Sequence, residues 1–433
     1  MANPSSSPPG SSLRQRYRAV RRQTAALTAP LAPEDMVAQS MPDASPVKWH
    51  LAHTTWFFET FVLERLSGHR PFHDGYKHLF NSYYNTVGEP YPRPQRGLVS
   101  RPTVAEVVAY REHVDARMQE LLDAPGAIGD ELGGIVEVGL QHEQQHQELL
   151  LTDLKHLLSF NPLHPVYAPR PDRASTKPPP LGFRSYAEGM YEVGYSGGGF
   201  AFDNERPRHR VFVDAFELGT RPVTAGEYLR FMEADGYARP ELWLSDGWAT
   251  VTERAWQAPL YWRLRNGQWW HMTLSGLQPV DPAEPVAHVS YYEADAYARW
   301  AGARLPSEQE WEVAVVSDGA APNPDDGNFA DDGLYHPQPP VATEQPDDGR
   351  LRQAFGDVWE WTRSPYVAYP GYVTPAGAIG EYNGKFMCNQ WVLRGGSCAT
   401  ARGHVRPTYR NFFYPDARWQ FSGLRLARDA GRR

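Results

Sequence analysis

Six prolines between His164 and Phe183 set the first limit on what this chain can fold into. Proline lacks a backbone N–H, and its ring clashes with the preceding helical turn, so no helix runs through the stretch. The sequence texture differs on either side. From Leu13 to Leu163 apolar residues recur at helical steps of three and four. From Arg184 to Ala430 short β-rich pieces alternate with Gly, Pro, Asn and Asp clusters. The reading is therefore a Ser/Pro/Gly-rich, disordered segment 1–12, a helical domain 13–163, a proline-rich linker 164–183 and a second domain 184–430.

Four helices are predicted in the first domain. One spans about 13–29, and a second opens at Ser45-Pro46, read as N-cap and first helical residue, and closes at Gly68. Thr103-Val-Ala-Glu106 is a capping box that opens a third, running to Leu122. The fourth runs from Asp130 to Ser159, and four helices suffice for a bundle. In the second domain RVFVDAFEL (210–218) reads as strand, and only Thr224–Ala234 and Tyr292–Trp300 read as helix. The expected fold class is multidomain, an α bundle followed by an irregular α+β domain.

Charge and composition exclude whole classes of function. With 43 Lys+Arg against 51 Asp+Glu the net charge is −8, the wrong sign for a protein that binds nucleic acid by displacing counterions. No apolar run reaches the roughly 20 residues of a membrane span. MANPSSSPPGSS lacks the apolar core of a signal peptide, and two cysteines make no disulfide framework. A cytoplasmic, reducing setting is expected.

Gln141-His142-Glu143-Gln144-Gln145-His146 carries the clearest chemistry. Residues four apart lie on one helix face, so His142 and His146 can reach one metal ion. Ile135, Val138, His142, Gln145 and Leu149 form the apolar stripe of that helix. Trp49, His53, Trp56, Phe57 and Thr60 form the stripe of an earlier one. Antiparallel bundle helices would bring His53 to the other two, and three neutral imidazoles suit a divalent transition metal. Hydrogen-bonded core histidines are the bland alternative. The string also fits H-E-x-x-H, the zinc-protease helix with Glu143 as general base, but its extended tail is absent.

Trp49-His-Leu-Ala-His53-Thr-Thr-Trp-Phe-Phe-Glu59 with His142-Glu-Gln-Gln-His146 resembles the DinB-like domain of the ergothioneine-biosynthesis sulfoxide synthases, a family that also includes selenoneine synthases. The second half resembles the formylglycine-generating-enzyme-like, C-type-lectin-related domain fused to it. Its markers are Phe202-Asp-Asn-Glu-Arg-Pro207, Arg221-Pro-Val-Thr224, Ala303-Arg-Leu-Pro-Ser-Glu-Gln-Glu-Trp311, Gly356-Asp-Val-Trp-Glu-Trp361, Asn383-Gly-Lys-Phe-Met387, Leu393-Arg-Gly-Gly-Ser397 and Gly423-Leu-Arg425. The ordered set spans about 13–429. It implies a non-haem Fe(II) enzyme that uses O₂ to join a thiol to imidazole C2 of hercynine (N-α-trimethylhistidine), giving a sulfoxide.

Carried over by position, His53, His142 and His146 are the iron ligands, with His50 the nearest alternative. Gln145 resembles a glutamine that hydrogen-bonds the hercynine imidazole, and Asn411 an asparagine that holds its carboxylate. Phe412 and Phe413 would wall the trimethylammonium or imidazole, since aromatic faces attract quaternary ammonium groups. Some relatives carry an aspartate for γ-glutamylcysteine where this chain has Phe413, which favours cysteine. Arg93-Pro-Gln-Arg96 resembles an arginine pair that grips the thiol substrate's carboxylate. Tyr83 and Tyr84 resemble a catalytic tyrosine pair near the iron, with Tyr409 and Tyr414 as alternative donors. The main rival is a selenoneine synthase acting on a selenosugar. Lesser ones are an ovothiol-type synthase, whose usual methyltransferase domain is not seen, a DinB-like thiol transferase and a non-catalytic lectin-like binder. Cys388 and Cys398 do not reproduce the cysteine pair of formylglycine-generating enzymes, and Asp325, Asp326, Asp331 and Asp332 read as a solvated loop rather than a calcium site.

Overall fold

The structure, a computed structural model, describes residues 12–171, 177–316, 323, 326–340 and 350–431. The segment expected to be disordered lies, but for Ser12, outside the described residues, as does Asp325. The chain forms two compact units, Met1–Leu163 with Pro375–Tyr382, and His164–Thr374 with Asn383–Arg433.

The first unit contains α1 (Leu13–Thr28), α2 (Val47–Phe61), α3 (Tyr76–Leu79), α4 (Val104–Asp123) and α5 (Asp130–Ser159). The ends of α1 and α4 follow from local chemistry. Ser12 Oγ accepts from Gln15 N at 3.3 Å, and Gln15 Oε1 accepts from Ser12 N at 2.8 Å. Thr103 and Glu106 make the same reciprocal pair at 3.2 and 2.6 Å, as their spacing predicts. The start of α2 differs by one residue. Pro46 is the cap and Val47 the first helical residue: the first helical bond runs from His50 N to Pro46 O at 3.2 Å, and Ser45 Oγ accepts from Arg96 Nη1 at 2.9 Å. That helix ends at Phe61, and a tight turn, Leu63–Arg65, precedes Gly68.

α2 packs against α4 and α5, and α1 against α5. Tyr17, Trp56, Phe57, Tyr110, Val114, Met118, Leu150 and Leu151 fill the space between them and are buried. Each such side chain contributes roughly 1.5–3 kcal/mol. Gly139 sets how closely α5 approaches α2, since a Cβ there would lie 2.6 Å from Phe58 Cε1 and 2.8 Å from Phe57 Cε1.

The second unit contains β1 (Phe183–Tyr186), β2 (Gly189–Val193), β3 (His209–Val213), β4 (Phe216–Gly219), α6 (Ala225–Glu233), α7 (Ser245–Glu253), β5 (Trp262–Arg265), β6 (Gln268–Thr273) and β7 (Gly276–Pro279). These are followed by α8 (Tyr291–Trp300), α9 (Glu308–Val316), β8 (Trp359–Pro365), β9 (Trp391–Arg394), β10 (Asn411–Phe413), β11 (Ser422–Gly423) and β12 (Ala427–Asp429). They form four small sheets ordered β1-β4-β12, β2-β3, β5-β6-β7 and β10-β9-β8-β11. Only β11 and β8 pair in parallel among them. The stretch read as one strand, 210–218, is two, β3 and β4, in different sheets. The proline-rich stretch belongs to this unit. Val166 bridges to Ser275, and Tyr167 N donates to Leu274 O at 2.8 Å.

α6 and α8 lie where the two helical stretches were expected, and each starts at a capping box, Thr224–Glu227 and Ser290–Glu293. α7 and α9 were not anticipated. In α9, Glu308, Glu310, Trp311, Glu312, Val313, Ala314 and Val315 are all buried, so it shows no amphipathic stripe. Its acids are buried because arginines meet them: Glu308 with Arg410 at 2.8 Å, Glu310 with Arg304 at 2.7 Å and Glu312 with Arg394 at 2.8 Å.

Candidate metal centre

The first unit brings His53, His142 and His146 together. One ring nitrogen of each lies within 4.8 Å of the others, and ring centroids are separated by 4.9, 4.8 and 4.5 Å. His53 Nε2 faces His142 Nε2 at 3.2 Å. The spacing of α2 sandwiches the His53 ring between Trp49 (4.4 Å, 17°) and Trp56 (5.4 Å, 15°), which fixes its plane.

The hydrogen bonds assign the tautomers. His53 Nδ1–H donates to Phe80 O at 2.6 Å, which leaves its Nε2 lone pair for the cluster. His50 is not a ligand in this arrangement. Its Nε2 donates to Asp153 Oδ2 at 3.1 Å, and its Nδ1 meets His146 Nδ1 at 2.8 Å. His50 therefore accepts from His146 Nδ1–H, and His146 Nε2 is left for the cluster. Burial pushes the pKa of all three cluster imidazoles down, that of His142 to about 3, so they are neutral at physiological pH. His142 Nδ1 is buried and makes no hydrogen bond. The set fits a divalent transition metal: neutral imidazoles with ring nitrogens that converge.

Glu143 points elsewhere, as a residue one step along a helix must. It is fully buried, and its carboxylate takes Arg21 Nη1 at 2.9 Å, Thr24 Oγ1 at 2.6 Å and Arg111 Nη2 at 2.5 Å. Burial would raise its pKa, but Arg111 and Arg21 outweigh this and hold it at about 2. A carboxylate so committed is no general base, and the zinc-protease geometry is absent.

Tyr382 was not anticipated. The segment Pro375–Tyr382 belongs to the helical unit, where Glu381 accepts from Asn85 N (3.1 Å), Thr86 N (3.0 Å) and Thr86 Oγ1 (2.6 Å). Tyr382 is buried, its ring 5.7 Å from that of His142, and its hydroxyl donates to Gln145 Oε1. The stems of the segment are held within the second unit: Tyr372 Oη and Asn383 Nδ2 both donate to Asp203, at 2.7 and 2.5 Å. Nothing in local periodicity assigns residues some 240 positions beyond Gln145 to the same unit.

Tyr84 is buried against Trp56 (5.6 Å) and Phe61 (5.1 Å), while Tyr83 stacks on it at 4.6 Å and lies 6.4 Å from Tyr382. Burial raises the pKa of both phenols. Arg96 is 2% exposed, stacks over Trp49 at 3.4 Å, and donates only to neutral hydroxyls, Ser45 Oγ and Ser82 Oγ. Arg93 is exposed beside Asp43 O at 3.4 Å. Asn411, Phe412 and Phe413 form β10 of the second unit. There Phe412 stacks on Tyr366 (4.0 Å, 11°), and Phe413 meets Trp419 edge-on at 5.7 Å. Tyr409 is buried beside His404, and Tyr414 is exposed. Asp331 and Asp332 engage Arg402.

Residues 16–150 match the DinB superfamily, and residues 185–430 match the sulfatase-modifying factor enzyme 1-like domain. A hercynine oxygenase of Mycolicibacterium thermoresistibile is 33% identical over 90% of this chain and 89% of its own. One from Mycolicibacterium smegmatis is 32% identical over 90% and 92%. The formylglycine-generating enzyme of Streptomyces coelicolor is 28% identical over 53% of this chain and 84% of its own. The two domains and the buried histidine cluster define an oxidative enzyme of the DinB plus sulfatase-modifying-factor class. Within that class, the chain belongs to the hercynine oxygenase family of ergothioneine biosynthesis. Among the described residues no helix is long and apolar enough to cross a membrane.

Proposed function

We propose that the chain joins imidazole C2 of hercynine to a thiol, with O₂ as oxidant, and releases a sulfoxide. The balance is one C–H and one S–H bond broken, one C–S and one S–O bond formed, and O₂ reduced by four electrons to the sulfoxide oxygen and water. The reading rests above all on the three buried, neutral imidazoles with converging nitrogens. His53, His142 and His146 would hold Fe(II), which when bound supplies the electron-transfer chemistry that O₂ requires.

The chain's own groups have distinct tasks. Arg96, a buried cation whose hydrogen bonds end on neutral hydroxyls, suits the carboxylate of a small thiol substrate, with Arg93 nearer solvent. Gln145 orients the hercynine imidazole, and the hydroxyl on it, Tyr382, is placed to deliver a proton or hydrogen atom. Tyr83 and Tyr84 back that phenol and remain candidates for the same task. Asn411, Phe412 and Phe413 would receive the hercynine carboxylate and trimethylammonium. Phe413 removes the anionic partner a γ-glutamyl amine would need, so cysteine is the favoured thiol. A cytoplasmic, reducing setting suits Cys388 and Cys398, which form no disulfide.

The test is a panel. Fe(II)-loaded protein, O₂ and hercynine are combined separately with cysteine, γ-glutamylcysteine and a selenosugar, and products are read by mass spectrometry. Hercynyl cysteine sulfoxide is the expected product. A carbon–selenium product alone would reassign the chain to selenoneine synthesis, and turnover of unmethylated histidine in place of hercynine would reassign it to the ovothiol class.

A further inference from the structure

The second unit holds another cluster of metal-binding side chains. His271 on β6, Glu284 in the turn after β7 and His336 in the loop before β8 each offer one donor atom, all within 4.8 Å of one another. They are 8%, 2% and 4% exposed, so this is an interior site rather than a chance meeting of surface groups. His336 Nε2 lies 2.8 Å from Glu284 Oε2, and the His271 and His336 rings meet at 5.0 Å and 87°.

Each donor is fixed by its backbone. His271 is paired on both sides, with Trp262 of β5 and Gln278 of β7. The Glu284 carbonyl accepts Ala225 N–H at 2.7 Å. The His336 carbonyl accepts Asn328 Nδ2 at 2.9 Å and Gln338 Nε2 at 2.8 Å. The outer shell is equally developed. Arg170 pairs with Glu284 Oε1, the oxygen turned away from His336. Asn328 Nδ2 also donates to Asp357 Oδ1 at 2.7 Å, which brings a second buried carboxylate beside the group. Ligating carboxylates are ordinarily oriented in this way by partners on the free oxygen.

A Glu–Arg pair is complete without histidine, and one histidine would suffice for the remaining oxygen. Two imidazoles at right angles beside one buried carboxylate are instead the donor set of a borderline-soft divalent ion. We propose that His271, Glu284 and His336 bind a second divalent transition-metal ion, of which Zn²⁺ fits best, as a structural tie between the β5-β6-β7 sheet, the turn at Glu284 and the loop at His336.

The test removes the first cluster, so that it reads the second site alone and does not depend on the proposed reaction. The full-length His53→Ala/His142→Ala variant is dialysed against Zn²⁺ and its metal content measured. One equivalent per chain and a Zn²⁺-dependent rise in Tm are expected. Adding Glu284→Gln or His271→Ala should abolish both, and Arg170→Ala should weaken binding by about 10–100-fold. If the double variant does not fold, Co²⁺ absorption is compared between the otherwise wild-type chain, expected to take two equivalents, and Glu284→Gln, expected to take one. Retention of no zinc by the folded double variant, or of a full equivalent after Glu284→Gln, overturns the assignment.

Discussion

Replacing Tyr382 by phenylalanine removes one oxygen atom and leaves the ring that packs 5.7 Å from His142 and 6.4 Å from Tyr83. The loss to folding includes the hydrogen bond to Gln145, worth about 0.5–1.5 kcal/mol. The Pro375–Tyr382 segment should stay in place, since Glu381 still holds Asn85 and Thr86. Fe(II) stoichiometry should be unchanged, and hercynine affinity should shift by about tenfold at most, the equivalent of that one bond. The rate of sulfoxide formation should fall far more, by about 10²–10⁴-fold, the usual loss when a placed acid is removed. A rate loss of roughly 3–5 kcal/mol against at most about 1.4 kcal/mol in binding is the signature of a group acting on chemistry. Thiol oxidation should persist, so the ratio of oxidised thiol to coupled product should rise. The assay is single-turnover mass spectrometry with equilibrium binding measured alongside. Unchanged rate and product ratio in Tyr382→Phe would refute the role, and a collapse in Tyr83→Phe or Tyr84→Phe instead would move it to that residue.

His53→Ala, His142→Ala and His146→Ala should each lose stoichiometric iron, whereas His50→Ala should keep iron with about 10–100-fold lower affinity, because it removes only the partner of His146. Full iron in His53→Ala, by metal analysis, would dismiss the assignment. Glu143→Gln should destabilise the helical unit by about 3–5 kcal/mol in denaturant titrations, since Arg21 and Arg111 lose their buried counter-charge. In the unmodified chain this carboxylate's contribution should be complete above about pH 5 and fade as pH falls toward 2, because its folded pKa of about 2 lies below the unfolded value of about 4.3. Unmethylated histidine should bind several-fold to tens-fold worse than hercynine, the worth of about 0.5–2 kcal/mol of cation–π contact, as read by calorimetry.

The histidine cluster was legible because helical geometry makes four-residue spacing a spatial statement, and because Trp49, His53 and Trp56 share a stripe. The same rule explains what was not legible about Glu143. H-E-x-x-H is a pattern of letters, while its function depends on what faces the glutamate, here Arg21 and Arg111 from two other helices. The capping box at Thr103 announced its helix because both halves of its hydrogen-bond pair lie three residues apart. α9 gave no such signal. Its glutamates are buried by arginines up to 102 positions away, which no local pattern reveals. Tyr382 was hidden for the same reason on a larger scale, since its membership of the helical unit is a tertiary fact.

Asp203 has a consequence for how faults in this protein would be diagnosed. One carboxylate fastens Tyr372 and Asn383, the two ends of the excursion that carries Tyr382. Tying both ends of a loop at one point removes most of its freedom before the phenol is ever ordered. A lesion at Asp203 lies outside the cluster of His53, His142 and His146, and under the proposed reaction it would show itself as leakage: O₂ consumed, thiol oxidised, little product coupled. Screens that score only metal content would pass such a variant as healthy.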